Sequence, residues 1–169
     1  MVELFQMLLK SYEPIEGFLD EEMRCGYRVS REIKSLWAVE LDLYTAFCRV
    51  CEANGLRHFV SYGTLLGAVR HGGFIPWDDD IDILMPREDY NRLLKIGSDS
   101  FGEPYFFQTT LTEKYFWRAH IQLRNSNTTG YVPQDACKDI NRGIFLDIAP
   151  LVEVSDSKIG RWFHRAALK

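Results

Sequence analysis

The stretch YGTLLGAVRHGGFIPWDDDIDILMP, residues 62–86, decides the fold of this chain. It joins a glycine turn, placed before a predicted helix, to four aspartates that lie within five positions. A helix N-terminus with free N–H groups favours a bound anion, and clustered carboxylates favour a bound cation. The stretch therefore predicts a site that holds a cation and a phosphate together.

Asp80 and Asp82 are separated by Ile81 and are followed by apolar residues typical of a strand. Side chains two residues apart point to the same face of a strand, with Cα atoms about 6.6 Å apart. At a separation of roughly 4 Å, two carboxylates repel by about 4 kcal/mol at an effective dielectric of about 20. A divalent cation removes that repulsion, and an all-oxygen ligand set favours Mg²⁺ or Mn²⁺.

Two other interpretations of the aspartate cluster need to be weighed. An acidic run is often only a solvated loop, and that interpretation stays open for Asp78 and Asp79. A calcium loop would place Asp78, Asp80 and Asp82 at its first, third and fifth positions, but it needs glycine at the sixth. Ile83 stands at that position, so the EF-hand interpretation fails.

The residues before the aspartates predict a strand, a turn and a helix. Residues 57–62 are predicted as a short strand, and Gly63 permits a tight turn after it. Thr64 is the predicted N-cap of a helix over residues 64–71, which ends at a glycine pair. The N–H groups at Gly63 and Thr64 would bind an anion, with Arg70 at the far end of the helix. Most pairs of this kind only cap a helix, so that interpretation stays open.

A third acidic position lies far along the chain, in GIFLDIAPL at residues 143–151. Asp147 is the one charged residue in an apolar segment that is predicted to be a strand. A lone acid in such a strand is commonly paired with an arginine, which is the alternative here. Together with the aspartate cluster and the helix N-terminus, it favours a metal site.

At this point the residues resemble a family. The sequence YGTLLGAVRHGGFIPWDDDIDILMPREDY resembles the signature of the LicD family, which includes bacterial phosphorylcholine transferases and is related to the fukutin-type glycan phosphotransferases of animals. GIFLDIAPL and QLRNSNTT are similar to later segments of the same family. The resemblance covers roughly residues 35–152, and the long first motif is far more specific than a short pattern.

The resemblance implies an α/β nucleotidyltransferase fold, with a mixed β-sheet flanked by helices. It implies that phosphocholine is transferred from CDP-choline to a hydroxyl of a cell-surface glycan, such as lipopolysaccharide or teichoic acid, with release of CMP. By position, Asp80 and Asp82 correspond to the metal-binding pair and Asp147 to a third catalytic carboxylate that also serves the metal. Gly63 and Thr64 correspond to the phosphate-binding turn.

Further substrate contacts are predicted at Arg70, Asp79 and Arg124. Arg124 ends a predicted strand over residues 117–124 that alternates polar and apolar side chains, and it would point at phosphate. The alternative is an edge strand with one wet face, and His120 within it is expected to be structural. The chain departs from the family at Gln122, where many members have lysine, which puts one positive contact in doubt.

Composition excludes several other classes of function. The chain has 169 residues, 46% of them hydrophobic, so one domain with a real core is expected. Its net charge of -4 and lack of a basic stripe argue against a nucleic-acid partner. The N-terminus MVELFQMLLK has too short an apolar run for a signal peptide, and no window could span a membrane. We therefore expect a cytoplasmic protein.

The cysteines are expected to be structural. Cys48 and Cys51 form a single CxxC inside a predicted helix over residues 31–53, at helical spacing with apolar residues. No second ligand pair is apparent, and the pair does not open a helix. Zinc and redox interpretations are therefore disfavoured.

Three segments are predicted: an N-terminal helical segment over 1–30 with a helix near 2–10, the catalytic core over 31–152, and the start of a C-terminal helix over 153–169. Within the core we predict a helix over 87–96 that stops at Gly97, and strands near 105–109, 117–124 and 143–149. LicD-like chains usually continue further, so a truncated product is expected. Two other functions stay open: a transferase of the same fold that uses another CDP-alcohol or nucleotide donor, and an inactive remnant that binds a partner.

Overall fold

The structure is a computed structural model that describes residues 8–130, 132–154, 156–159 and 162. Its α-helices with defined bounds are α1 (Arg31–Asn54), α2 (Tyr62–His71) and α3 (Arg87–Ser100). A short 3-10 helix covers Pro133–Asp135. The strands are β1 (Glu22–Arg24), β2 (Tyr27–Val29), β3 (Phe59–Val60), β4 (Asp82–Met85), β5 (Tyr105–Gln108), β6 (Ile121–Asn125) and β7 (Ile144–Pro150).

Five of these strands form one mixed sheet in the order β3-β4-β7-β6-β5. Strands β4 and β7 are parallel, whereas the other neighbouring pairs are antiparallel. The connection from β4 to β7 runs through α3, β5 and β6, so β7 enters the sheet between strands formed earlier in the chain. The α/β fold class with a mixed sheet and flanking helices is confirmed.

The long helix α1 packs against the sheet and closes the core. Its buried residues Leu43 and Phe47 belong to one cluster with Ile83, Leu146 and Ile148 of the two parallel strands. Burying each such side chain contributes about 1.5–3 kcal/mol. Because side chains alternate along a strand, the acids that flank these residues in β4 and β7 lie on the other face of the sheet.

Helix α1 confirms the predicted helix over 31–53 within one residue. Ser30 caps it, since the Ser30 hydroxyl accepts a hydrogen bond from the Ile33 amide at 3.4 Å. Gly55 ends it with a φ of 59°, a left-handed conformation that glycine adopts without strain. Both signals stand in the sequence.

The N-terminal segment differs from its prediction. Residues 8–30 contain no helix, although all of them are described, and residues 22–29 form the antiparallel β1–β2 hairpin instead. Its turn residues Cys25 and Gly26 have φ values of 55° and 75°, as a two-residue hairpin turn with two left-handed positions requires. Residues 2–7 of the predicted N-terminal helix lie outside the described residues.

Three other predicted boundaries are wrong. Helix α3 runs through Gly97 to Ser100, because this glycine is a packing position: a Cβ there would collide with the Phe107 ring. The strand predicted over 117–124 begins only at Ile121, and the strand predicted over 57–62 shrinks to Phe59–Val60. The strands predicted near 105–109 and 143–149 are confirmed.

Near the C-terminus, residues 158, 159 and 162 are helical, in keeping with the start of a helix there. The remainder of that predicted helix lies outside the described residues. Across the described ranges, no helix combines the length and apolar character needed to cross a bilayer. The cytoplasmic location stays a prediction.

Candidate active site

The parallel pairing of β4 and β7 brings two of the predicted carboxylates together. Asp82 and Asp147 are register partners across that pair, and adjacent strands lie about 4.8 Å apart. The Asp147 amide donates to the Ile81 carbonyl at 3.2 Å, which fixes this register at the start of β4. Two acids that are 65 positions apart in sequence therefore point to the same face of the sheet.

Asp80 does not lie on the same strand as Asp82, which corrects the sequence prediction. Strand β4 begins at Asp82, and Asp80 belongs to the irregular segment before it. Burial still alternates from Asp80 through buried Ile81 to Asp82, as in an extended chain. The carboxylates of Asp78, Asp79 and Asp80 offer ligand oxygens that all lie within 4.8 Å of one another. Asp78 and Asp79, for which a solvated loop remained an open interpretation, thus have carboxylates close to that of Asp80.

The segment that carries these aspartates, residues 78–82, is called the acid loop below. Trp37 on α1 donates its indole N–H to the Asp78 carbonyl at 2.8 Å, and the Asp78 amide donates to Ile75 at 2.9 Å. The Trp37 ring stacks on Phe74 with centroids 4.8 Å apart. The buried Trp37, stacked on the half-buried Phe74, therefore holds the backbone of the loop in place.

The N-terminus of α2 lies directly against the acid loop. The N-cap is Ser61, not Thr64 as predicted, so Gly63 and Thr64 are in the first turn. The Thr64 hydroxyl accepts a hydrogen bond from the Asp82 amide at 2.8 Å. A Cβ at Gly63 would come within 2.5 Å of Asp78 Oδ2, so only glycine lets this carboxylate approach the helix. The N-terminus of α2 and the carboxylates of the acid loop therefore lie side by side.

Two further features mark this helix start. The Ser61 hydroxyl is buried and has no hydrogen-bond partner among the described residues. Tyr62, the first residue of α2, has a φ of 43°, a left-handed conformation that is costly for a side chain with a Cβ. Strain of this kind concentrates at sites where geometry serves function.

The acid loop carries negative charge that the protein does not neutralise. Burial, followed by the charge of Asp82, raises the pKa of Asp80 to about 6. Burial and the Asp147 charge raise the pKa of Asp82, and burial and the Asp79 charge raise the pKa of Asp78. Burial and mutual repulsion thus disfavour the charged forms of these three acids in the protein alone.

Asp147 has partners that the other acids lack. Gln122 Nε2 donates to Asp147 Oδ1 at 2.7 Å, and His120 Nε2 lies 3.1 Å from the same oxygen without the alignment of a hydrogen bond. Burial acts to raise the pKa of Asp147, but the contacts with His120 and Gln122 outweigh it and lower the pKa. Asp147 is therefore held as a carboxylate in a fixed orientation.

Comparison with known proteins identifies the family. The family model for the LicD/FKTN/FKRP nucleotidyltransferase domain matches residues 55–159, more than half of the chain. The chain belongs to the LicD/FKTN/FKRP family. The resemblance drawn from the three sequence motifs is thereby confirmed.

Several relatives match parts of this LicD-family chain. Lipopolysaccharide cholinephosphotransferase LicD of Haemophilus influenzae is 41% identical over 69 residues, which make up 41% of this chain and 26% of that protein. Ribitol 5-phosphate transferase FKRP of Homo sapiens is 52% identical over 82 residues, 46% of this chain and 16% of that protein. Mannosyltransferase regulator 4 of Saccharomyces cerevisiae is 30% identical over 121 residues, 68% of this chain and 10% of that protein. The matched part is about a quarter or less of each relative.

Arg124, a predicted substrate contact in the LicD-type motif, lies inside the protein with 1% of its surface exposed. Its guanidinium donates to the side chains of Gln108 and Gln122 and to the Gly143 carbonyl, and it lies 4.5 Å from the centre of the Phe145 ring. Because Gln122 in turn contacts Asp147, the arginine supports the orientation of this acid. A direct contact with substrate stays a prediction.

The two remaining predicted contacts are exposed. Asp79 points to solvent within the acid loop, and Arg70 lies in the last turn of α2, where it contacts His71 Nδ1 at 3.4 Å. No contact joins Arg70 to the acid loop among the interactions of the described residues. The roles of both residues in substrate binding stay predictions.

Sequence reasoning missed two residues of this region. His120 was expected to be structural, yet it lies beside Asp147, because residues 117–120 form a loop rather than a strand. Glu40 of α1 is buried at 2% exposure, and after burial the charge of Asp80 is the largest cause that raises its pKa. The only signal in the sequence that could have found Glu40 was its position among the buried residues of α1.

A cavity of about 510 Å³ lies next to the same helix start. Gly63 and Thr64 line one side of it, and aromatic residues including Trp37, Tyr44 and Phe74 line another. Cavities of this size hold small-molecule ligands. The cavity therefore offers room beside the acid loop for part of a donor molecule.

Proposed function

We propose that this chain is a metal-dependent phosphotransferase of the LicD type. In this proposal it transfers phosphocholine from CDP-choline to a hydroxyl of a cell-surface glycan and releases CMP. The observation that carries the proposal is the approach of the acid loop to the N-terminus of α2, next to the paired Asp82 and Asp147. That arrangement supports a site in which a cation and a phosphate would bind side by side.

The residues fit a divalent cation. Asp80, Asp82 and Asp147 supply only oxygen donors, and the raised pKa values of Asp80 and Asp82 report negative charge without a counter-ion. Such a donor set suits Mg²⁺ or Mn²⁺. The cation would neutralise the diphosphate of the donor and so stabilise the charge that develops during phosphoryl transfer.

Helix α2 would bind the phosphate. Its first-turn amides at Gly63 and Thr64 lie at the positive end of the helix dipole, which favours an anion. The Thr64 hydroxyl already accepts a hydrogen bond from Asp82, so its own proton is free to donate to a phosphate oxygen. Thr64 would thus connect the phosphate and the strand that carries a metal ligand.

Asp147 would complete the metal site rather than take the proton of the acceptor hydroxyl. Burial acts to raise the pKa of Asp147, but the contacts with His120 and Gln122 have the larger effect, so the pKa is lowered. A general base works best with a pKa near the working pH, so a carboxylate with a lowered pKa is a weak base. An ionised and oriented carboxylate is a good ligand instead.

A second donor is supported by a specific observation. The human relative that is 52% identical over 82 residues is named for ribitol 5-phosphate transfer. In the cavity, Arg24 lies 5.8 Å from the Trp37 ring and Lys34 lies 5.9 Å from the Phe18 ring. These cations occupy ring faces that a choline group would use, so a polyol is the alternative alcohol.

The proposal is tested by ³¹P NMR of the purified chain with Mg²⁺ and a host glycan extract, using CDP-choline and CDP-ribitol in separate samples. We expect CMP release by the wild type, and none by Asp82→Asn. Asp99→Asn is the matched control, since Asp99 is an exposed acid on α3. Release of CMP from CDP-ribitol but not from CDP-choline would identify CDP-ribitol as the donor in place of CDP-choline.

Two results would overturn the transferase proposal. Absence of CMP with both donors, although the folded chain binds Mg²⁺, would favour the inactive remnant. Equal release by wild type and Asp82→Asn would place the chemistry outside the acid loop.

A further inference from the structure

Glu40 is a buried carboxyl group that the proposed reaction leaves without a role. It lies on α1 beside Val39, and both residues are 2% exposed. Its Oε2 atom has no hydrogen-bond partner among the described residues. Buried polar groups are normally hydrogen-bonded, so an unpaired buried carboxylate needs an explanation.

Asp42, two residues further along the same helix, is a buried carboxylate whose two oxygens both accept hydrogen bonds. It is fully buried, and its Oδ1 atom accepts hydrogen bonds from the amides of Lys10, Ser11 and Tyr12. Its Oδ2 atom accepts one from the Tyr105 hydroxyl at 2.7 Å. Of these two buried carboxylates of α1, Asp42 has a structural role, whereas Glu40 leaves its Oε2 atom unpaired among the described residues.

The surroundings of Glu40 point to the acid loop. Trp37, three residues earlier and so on the same side of α1, donates to the Asp78 carbonyl at 2.8 Å. Burial, followed by the charge of Asp80 and then of Asp147, raises the pKa of Glu40 well above its usual range. The charges that act most strongly on this group are all carboxylates, and they are those of the candidate metal site.

We propose that Glu40 is a positioning residue of the cation site: from the core side of the sheet, its charge adds to that of Asp80, Asp82 and Asp147 and raises the affinity for a divalent cation. This inference rests on the metal dependence proposed above. Charges interact more strongly through a buried, poorly solvated interior than through water, and Glu40 is buried. A cation would also supply the compensation that the carboxylate lacks in the protein alone.

The test compares two variants of neighbouring residues by calorimetric titration with Mn²⁺ at neutral pH. Glu40→Gln keeps the shape and removes the charge, and we expect the affinity to fall on the order of 10–100-fold. Without the cation, its thermal stability should equal or exceed that of the wild type, because burial and the neighbouring carboxylates disfavour the charge of Glu40.

Asp42→Asn is the matched control for burial. We expect it to lower thermal stability, because a carboxylate with four donors is lost. Its Mn²⁺ affinity should stay within about twofold of the wild type, since the two sites share no partner. Glu40→Asp keeps the charge and should recover most of the affinity that Glu40→Gln loses.

The wild type gives a second measurement that does not depend on a variant. With ¹³C-labelled glutamate side chains, Mn²⁺ should broaden the Glu40 carboxyl resonance before that of any other described glutamate. Unchanged affinity in Glu40→Gln, or no broadening of that resonance at saturating Mn²⁺, would overturn this inference and leave the proposed function standing. Absence of Mn²⁺ binding by the wild type would overturn both.

Discussion

The carboxylate of Asp135 and the carboxylates of Asp80 and Asp82 in the acid loop differ in ion pairing and in the direction of their pKa shifts. Asp135 is paired with Arg118 at 2.9 Å and with Lys138 at 2.8 Å. Burial acts to raise the pKa of Asp135, but Lys138 and Arg118 outweigh it and lower the pKa. In the acid loop the pKa values of Asp80 and Asp82 are raised, and no lysine or arginine of the described residues forms an ion pair with either.

The difference shows that a shortage of lysine and arginine does not explain why Asp80 and Asp82 lack ion pairs among the described residues. The chain has 20 lysine and arginine residues, and it places two of them on a single structural carboxylate. Leaving Asp80 and Asp82 without an ion-pair partner among the described residues costs stability, which a protein tolerates where a ligand supplies the missing charge. Asp135 is thus an acid that stabilises the fold, whereas we propose that Asp80 and Asp82 bind a cation.

Replacing Asp82 should have the largest effect on activity. Asp82→Asn removes one ligand charge next to Asp147, so turnover should fall by roughly a thousandfold or more. Circular dichroism should show an unchanged fold, and steady-state CMP release measures the loss. Turnover above about a tenth of the wild-type rate would put Asp82 in the structural group with Asp135.

A methyl group at Gly63 should act next most strongly. Gly63→Ala places a Cβ within 2.5 Å of Asp78 Oδ2, so the carboxylate and the first turn of α2 must separate. A misplacement of about 1 Å at such a site can lower turnover by about 10–100-fold. Gly73→Ala is the control, because the nearest atom to its added Cβ is 4.0 Å away. Equal turnover in both variants would show that the close approach is not needed.

Neutralising Asp135 should affect stability and leave cation binding unchanged. Asp135→Asn removes the charge and one of the two oxygens that accept from Arg118 and Lys138, which should lower the free energy of unfolding by about 1–3 kcal/mol. Urea unfolding measures this change. The Mg²⁺ affinity of the folded variant should match that of the wild type. A loss of affinity would mean that Asp135 also contributes to cation binding and does not differ from the acids of the acid loop.

The pH dependence of stability should show the smallest effect. Asp80 has a pKa of about 6 in the folded protein and an ordinary value of 3.8 when unfolded. Between these values the folded state binds more protons, so the free energy of unfolding falls as pH rises through this interval. After discounting for solvent screening of this partly exposed group, we expect a loss of about 1 kcal/mol between pH 5 and 7.5 in EDTA. Thermal unfolding with Asp80→Asn as control should give a flatter profile.

The fold was largely predictable because its signals are local. Residues 31–54 carry an amphipathic pattern with a serine cap and a terminal glycine, and the alternation around Ile83 and Ile148 marks buried strands. The β1–β2 hairpin was missed although Gly26 gave a turn signal, because its three-residue strands are too short for a periodic pattern.

The candidate site was only partly predictable. The register of Asp82 with Asp147 agrees with the motifs, but the roles of Glu40 and His120 depend on contacts between distant segments. A glutamate in an amphipathic helix looks the same in sequence whether it faces a lysine or an acid cluster. Arg124 was expected to point at phosphate, and its contact with substrate stays a prediction. Its burial could not be predicted, since alternation alone does not tell which face of a strand is covered.

The central claim is that the unpaired acids bind a divalent cation. The most direct measurement is an anomalous difference map from a crystal soaked in Mn²⁺, recorded at the manganese edge. The account predicts a peak bonded to carboxylate oxygens of Asp80 and Asp82, beside the N-terminus of α2. A saturating soak that gives no peak there, or a peak only at another carboxylate such as Asp135, would contradict it.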